Sequence, residues 1–352
     1  MPLAFSQGVM WCLLLVALVL GVSTTGAESK SVRVAVVAPL DGYELPWEAA
    51  TQLQRAAKVQ GLGVTIGPAA LTGPPPSGGD LYVMPVRSLA TQVPAFQILE
   101  LPFFYASLEA VHQHLDGDLG KYLAVEARAH DWEVLAYWDE GMHVFSGLKH
   151  YERVRNLKAR EFLITRPDPV AEKQFKYWKA DARRIDPKDR QAVLRECVIA
   201  SRGATLQEVL RERLYQVHFA LSLSNHRYEG WILVAPVDAW LHFDDATRQK
   251  LKAIVNETTA WQRNDAQRRE TAALAELKRT GMTVYEVDEA EREAFRGALP
   301  DWVELLPDEL DSQKKHMLIE LASPRAAAIA RSAGGPALTD ARSDPAPGAE
   351  AR

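Results

Sequence analysis

Residues able to do chemistry crowd into Leu101–Phe145, where His112, His114, Asp139, Glu140 and His143 stand among aromatic side chains. Catalytic and metal-binding readings of them are weak. His112 and His114 are two apart on an expected helix and so face different directions, a poor metal pair. Asp139 and Glu140 are sequence neighbours, which fixes no carboxylate separation across a cleft. Cys197, between Glu196 and Val198, has no evident base and reads as a small buried cysteine. Binding is the better reading, because the apolar run Val134–Trp138 suits a strand buried on both faces. The end of that strand delivers Trp138, Asp139, Glu140, Gly141, Met142, His143 and Phe145 to one place. In open α/β sheets ligands sit just beyond the carboxyl ends of strands.

The elements that position these residues alternate. Ser31–Ala38 is a β-branched run followed by a helical pattern through Trp47, Leu53, Ala56 and Ala57, a βα opening, with Leu62–Ile66 as the next strand. The glycines at 61, 63 and 67 follow a helix instead of opening one, which argues against a nucleotide fingerprint. Leu71–Gly79 is a stiff Pro and Gly loop. A helix is expected from Ser107, with Leu108, Val111, Leu115, Leu119, Leu123 and Val125 near one face. Glu161–Arg166 is a strand with Phe162, Ile164 and Arg166 on one side. Val170–Trp178, Asp189–Cys197 and Leu206–Tyr215 read as helices, with a charged, exposed stretch at Lys179–Asp189. Asp244 is an N-cap for a long helix whose middle, Gln262–Glu270, is polar all round and suits a bridge across solvent.

Composition bounds the class. The chain has 352 residues, 47% hydrophobic and 25% charged, ordinary for a soluble protein of one or two domains, and its net charge of -5 argues against nucleic acid. Trp11–Val22 is an apolar run too short to span a bilayer, and Thr25, Gly26 and Ala27 form a small-residue cleavage site, so residues 1–27 read as a signal peptide of an exported, periplasmic protein. Cleavage leaves Cys197 as the single mature cysteine, excluding an intramolecular disulfide. Residues 323–352 lack periodicity and read as a disordered tail.

The order of Leu101-Pro102-Phe103-Phe104, a helix, Tyr137-Trp138-Asp139-Glu140-Gly141, Asn156-Leu157-Lys158-Ala159 and an apolar strand resembles the dicarboxylate-type (DctP) solute-binding proteins of tripartite ATP-independent periplasmic (TRAP) transporters. Leu221–His226, Trp231–Val234, Ala260–Arg263 and Val284–Phe295 extend the resemblance, with some divergence. It implies an α/β, two-lobed periplasmic binding protein fold, with mostly parallel sheets flanked by helices and a long helix bridging both lobes. The implied division is 31–137 plus 231–260 for the first lobe, 138–230 plus 284–322 for the second, and 261–283 for the bridge. In the family an arginine on the strand matched by Glu161–Arg166 clamps a ligand carboxylate, as a planar guanidinium does well. Here Ile164 holds that position, and Arg166, two residues on and on the same face, is the expected substitute. His143 stands where many members have a basic residue, and Glu140 stands where a neutral polar residue is common. Glu140 would repel a second carboxylate and suits pairing with Arg166 or a ligand amine. Asn225 and Tyr228 reach the cleft or cap a turn, and Arg202 is expected in solvent.

The expected ligand-binding set is therefore Arg166, His143, Trp138, Glu140, Phe104, Phe145, Asn225 and Tyr228, in a largely apolar cleft that Phe103, Tyr105 and Trp231 complete. The function implied is that of a monomeric extracytoplasmic subunit. It would bind a small carboxylate, without cofactor, metal or catalysis, and pass it to the membrane subunits of a TRAP permease. Loss of the clamp arginine leaves a second reading open, a degenerate member serving as a periplasmic interaction or sensing protein.

Overall fold

The computed structural model describes residues 31–37, 44–69, 78–164, 168–186, 189, 192–193 and 201–323. The expected signal peptide, Arg166, Cys197, most of the Pro and Gly loop and the tail beyond Ser323 lie outside the described residues.

Among the described residues there are ten strands, most of the longer ones rich in β-branched and aromatic residues: β1 (Val32–Val36), β2 (Val64–Pro68), β3 (Leu81–Pro85), β4 (Trp132–Gly147), β5 (Glu161–Ile164), β6 (Asp181–Arg184), β7 (Arg202–Thr205), β8 (Ala220–Leu223), β9 (Tyr228–Pro236) and β10 (Thr283–Glu286). Eight of them join in one sheet of order β2-β1-β3-β9-β4-β8-β10, with β7 also on β4, while β5 and β6 pair separately. The α/β class and helix-flanked sheets agree with expectation, but the pairing is mixed. β1 is parallel to β2 and β3, and β8 is parallel to β10. β9 runs antiparallel to β3 and β4, and β4 runs antiparallel to β7 and β8.

β4 is the axis of the fold. Its first part pairs with β9 beside β3, and its last residues pair with β7 and β8. The sequence suggested a short strand ending at Trp138, because Asp139 and Glu140 break the apolar run. The strand continues for 16 residues because both acids find partners inside the fold. Tyr228 donates its hydroxyl to Asp139 Oδ1 at 3.1 Å, and His112 Nε2 lies 2.7 Å from Oδ2. Gly141 follows at φ +143°, a conformation that a side chain rarely adopts, where the β4–β9 register shifts.

The helix Asp245–Arg279 runs along both parts of this sheet. Its N-cap is Asp244, whose carboxylate accepts from Thr247 N at 2.7 Å. Leu251, Ile254 and Val255 pack with Leu53, Leu233 and Trp138, whereas Ala273 and Leu277 pack with Val144, Leu206 and Leu221. The middle of this helix is not the free solvent bridge that its polarity suggested. Gln262 is buried and clasps the Asp139 backbone from both sides, Oε1 accepting from N at 2.9 Å and Nε2 donating to O at 2.7 Å.

Smaller departures have local causes. The helix capped by Ser107 divides into Leu108–Leu115 and Asp118–Arg128. Leu206–Tyr215 stops at Arg211, since Arg213 takes φ +53°. Leu305, Leu306, Leu310 and Leu318, expected with the second lobe, pack instead with Phe96, Leu119 and Trp132, while Phe295 and Leu299 stay with Phe162 and Trp178.

Candidate ligand-binding site

A cavity of about 40 Å³ opens where β5, β7 and the helix Pro169–Tyr177 meet the start of β9 and the turn after β3. Its walls carry Arg87, His143, Asp168, Arg202, Arg227, Glu208 and Glu229, with Ile164, Gln174 and His226 beside them. Each is positioned by a simple local device. Arg87 begins the short helix that follows β3. Asp168 N-caps Pro169–Tyr177 by accepting from Ala171 N at 2.9 Å, and Glu208 closes a capping box with Thr205. Arg227 and Glu229 flank Tyr228, so alternation along β9 turns both away from the Tyr228 face.

These groups form a chain of ion pairs. Arg87 Nη2 is 2.7 Å from Glu229 Oε1, and its other nitrogens lie 3.7 Å from Glu100 and 3.8 Å from Asp168. Arg227 Nη1 donates to Asp168 Oδ2 at 2.6 Å, and His143 Nε2 is 2.6 Å from Glu229 Oε2. Arg202 pairs with Glu212 and lies 3.9 Å from Glu208. Burial pulls the Arg87 pKa down, but Glu229, Glu100 and Asp168 more than reverse it, so its pKa is raised. Burial likewise opposes the Asp168 charge, yet Arg227 and Arg87 hold that carboxyl below its ordinary range. Burial raises Glu100 and lowers both His143 and His226, and Arg227 adds to the lowering of each imidazole. At the cavity both histidines are therefore neutral near pH 7.

Three buried polar atoms on the residues that line this cavity have no hydrogen-bond partner among the described residues: His143 Nδ1, Gln174 Nε2 and Arg227 Nε. Their residues are only 3%, 1% and 6% exposed, which leaves bulk water little access to them. Unpaired buried polar atoms each cost about 1–3 kcal/mol, and a cluster of them around one cavity marks a place for a guest.

The description "Bacterial extracellular solute-binding protein, family 7" matches residues 78–305. The chain belongs to that family. Among its relatives, a C4-dicarboxylate-binding protein of Bacillus subtilis is 25% identical over 62% of this chain and 63% of its own length. A 2,3-diketo-L-gulonate-binding periplasmic protein of Escherichia coli is 23% identical over 64% of this chain and 68% of its own. The chain thus spans about three-fifths of the first of these. In three dimensions a TRAP periplasmic solute-binding protein from Ochrobactrum anthropi superposes with a TM-score of 0.73 at 20% identity, over 86% of this chain and 96% of that one. One from Shewanella oneidensis with bound succinate gives 0.69 at 15%, over 83% and 99%. The two-lobed fold expected from the resemblance is shared with these structures.

In this family 7 protein the expected site residues divide sharply. His143 lines the cavity, as does Ile164, expected at the position of the family's arginine, while cations of the cavity wall are Arg87, Arg202 and Arg227. Arg202 is 5% exposed, which corrects the solvent-facing reading; its strand β7 is buried by pairing with β4. Glu140 lies behind the cavity, accepting from Trp231 Nε1 at 2.8 Å and Arg211 Nη1 at 3.1 Å. Trp138 donates to Thr259 Oγ1 at 3.1 Å within the first half's core, and Tyr228 turns its hydroxyl to Asp139. Phe104 packs edge-on against Trp302, 4.6 Å between ring centres, and Asn225 takes φ +44° between β8 and β9 with its carbonyl accepting from Arg292. Phe145 forms a second layer, stacked on His226 at 4.1 Å. The apolar cleft is thereby corrected to a charged one, because the aromatic residues were needed for the cores.

Arg87, Asp168, Gln174, Glu208, Arg227 and Glu229 escaped the sequence reading. A signal existed for some of them. Arg87 follows the carboxyl end of a parallel strand, where ligands are sought, and Arg227 and Glu229 are spaced to share a face.

Proposed function

We propose that this protein is the extracytoplasmic solute-binding subunit of a TRAP transporter, binding a small organic acid and handing it to the membrane permease. The observation that carries this is the set of unpartnered groups at a buried cavity, two of which, Arg227 Nε and Gln174 Nε2, are donors suited to a carboxylate. The relatives' names and the bound succinate in the Shewanella protein point to carboxylates as well.

The cavity's 40 Å³ admits roughly three waters, at about 10–15 Å³ each. A ligand enters only if the walls part. The proposed division puts Arg87, in 31–137, and Asp168, in 138–230, on opposite sides, so their 3.8 Å approach is a contact that opening breaks. Ligand contacts to both sides would favour the closed form by differential affinity. The work is binding and release, with no bond made or broken. Export to the periplasm through cleavage after Ala27 belongs to the same proposal, and N-terminal sequencing of the exported protein checks it.

A degenerate sensing or interaction protein is less well supported, since a cleft retired from binding gains nothing by keeping three buried groups unpaired. The test is calorimetric titration with a panel of mono- and dicarboxylates. Micromolar binding of at least one, lost in Arg227→Gln, is expected; a panel that leaves the protein silent would overturn the proposal.

A further inference from the structure

We infer that the ligand carries a protonated amine close to its carboxylate, received at the corner where His143 Nδ1 and His226 Nε2 face Gly203. The inference rests on the solute-binding reading above and narrows it to one chemical class.

The unpartnered atoms have opposite polarity. His143 Nε2 lies 2.6 Å from the Glu229 carboxylate, an acceptor, so Nε2 carries the proton and donates. Burial keeps the ring neutral, and Nδ1 is left as a bare lone pair without a partner. It needs a donor. Arg227 Nε and Gln174 Nε2 need an acceptor. A simple carboxylate satisfies the second pair and leaves Nδ1 unmet, and a second carboxylate would face that lone pair directly.

Spacing keeps the two requirements close. His143 N donates to Arg227 O at 2.7 Å and His226 N donates to His143 O at 3.0 Å, so two residues on one chain oppose one on the other, as in a bulge. That pairing sets His143 and Arg227 opposite one another across the two chains, which suits a carboxylate and an amine close together on one ligand. Gly203 keeps the approach to both nitrogens clear of a side chain. A Cβ added there would stand 3.1 Å from His226 Nε2, closer than an ordinary contact, and 3.8 Å from His143 Nδ1.

Charge points the same way. Among the described residues, Arg87, Arg202, Arg211 and Arg227 face Glu100, Glu140, Asp168, Glu208, Glu212 and Glu229 through the ion pairs of the cleft and its back wall. A dicarboxylate would bring two further negative charges beside these buried acids, whereas a zwitterion adds no net charge.

His143, Glu208 and Glu229 also bring potential metal-ligating atoms within 4.8 Å of one another. A metal ion fits less well than an amine. Arg87 is 2.7 Å from Glu229, and Arg211 and Arg202 are 3.6 and 3.9 Å from Glu208, so three guanidiniums oppose a dication. An amine needs only the lone pair that is already free.

The experiment is calorimetry on the full chain in EDTA, comparing the common amino acids with their 2-hydroxy and deaminated counterparts and with succinate. The best amino acid should bind about a hundredfold more tightly than its deaminated counterpart, the effect of leaving one buried polar atom unpaired, with the hydroxy acid between. Gly203→Ala should weaken the amino acid at least tenfold more than it weakens the deaminated acid. Equal affinity with and without the amine, tightest binding of succinate, or binding that appears only when a divalent ion is restored would overturn this inference while sparing the solute-binding reading. Binding of no acid at all would overturn both.

Discussion

Arg87 and Glu229 meet at 2.7 Å, joining the turn after β3 to the strand that crosses between the two parts of the sheet. Arg87 also stands within 3.8 Å of Asp168 and 3.7 Å of Glu100, so it is the common counter-charge of two buried acids and one partly buried one. Arg87→Ala should destabilise the unliganded protein by about 3–5 kcal/mol, since breaking a buried pair strands the partner charge. At roughly 2–4 °C per kcal/mol the melting temperature should drop by at least about 6 °C. A loss under about 2 °C would mean that water already screens the pair.

Glu140 predicts a pH dependence. Burial lifts its carboxyl from 4.5 to about 7, although Arg211 and Trp231 favour the charged form. Between those values the folded protein holds a proton that the unfolded chain has released, so the stabilisation is complete below about pH 4.5 and is lost as pH rises through about 7. The loss is a few kcal/mol at most, at about 1.4 kcal/mol for each tenfold difference in proton affinity between the folded and unfolded chain. Glu140→Gln should flatten that part of the curve of melting temperature against pH, and parallel curves for variant and parent would contradict the assignment.

Gln262→Ala removes both bonds to the Asp139 backbone. The amide and carbonyl left behind are buried at a register shift of β4, where the regular ladder to β9 is interrupted. A loss of about 2–5 kcal/mol is expected from two unpaired groups, and Gln262→Glu, which keeps only the acceptor, should fall lower than the parent and higher than alanine. Chemical denaturation measures the order.

Trp138→Phe separates core from site. The indole's bond to Thr259 would be lost at a cost of about 1 kcal/mol, while ligand affinity should stay within about twofold, because Trp138 does not line the cavity. A tenfold loss of affinity would return this residue to the site.

The fold was legible where pattern and packing agree. Ser31–Ala38 reads as a strand and forms one at Val32–Val36, and Ser107 and Asp244 cap helices as their side chains suggest. The site was less legible, since its polar residues come from separate turns and strand ends that only the fold brings together. Asp168 reads in sequence as an ordinary cap before a proline, and nothing local shows that its other oxygen faces Arg227. Trp138 and Phe104 misled for the converse reason, since large aromatic groups satisfy a core as well as a cleft.

The 16-residue length of β4 has a further consequence for unfolding. At about 3.3 Å per residue it runs for roughly 50 Å, and one continuous backbone serves as the hydrogen-bonding neighbour of β9 at one end and of β7 and β8 at the other. Neither part of the sheet can melt alone without stripping partners from a strand that the other still needs. Scanning calorimetry should therefore record a single cooperative heat-absorption peak whose van't Hoff and calorimetric enthalpies agree, even if the proposed opening moves the two sides of the cavity as separate bodies.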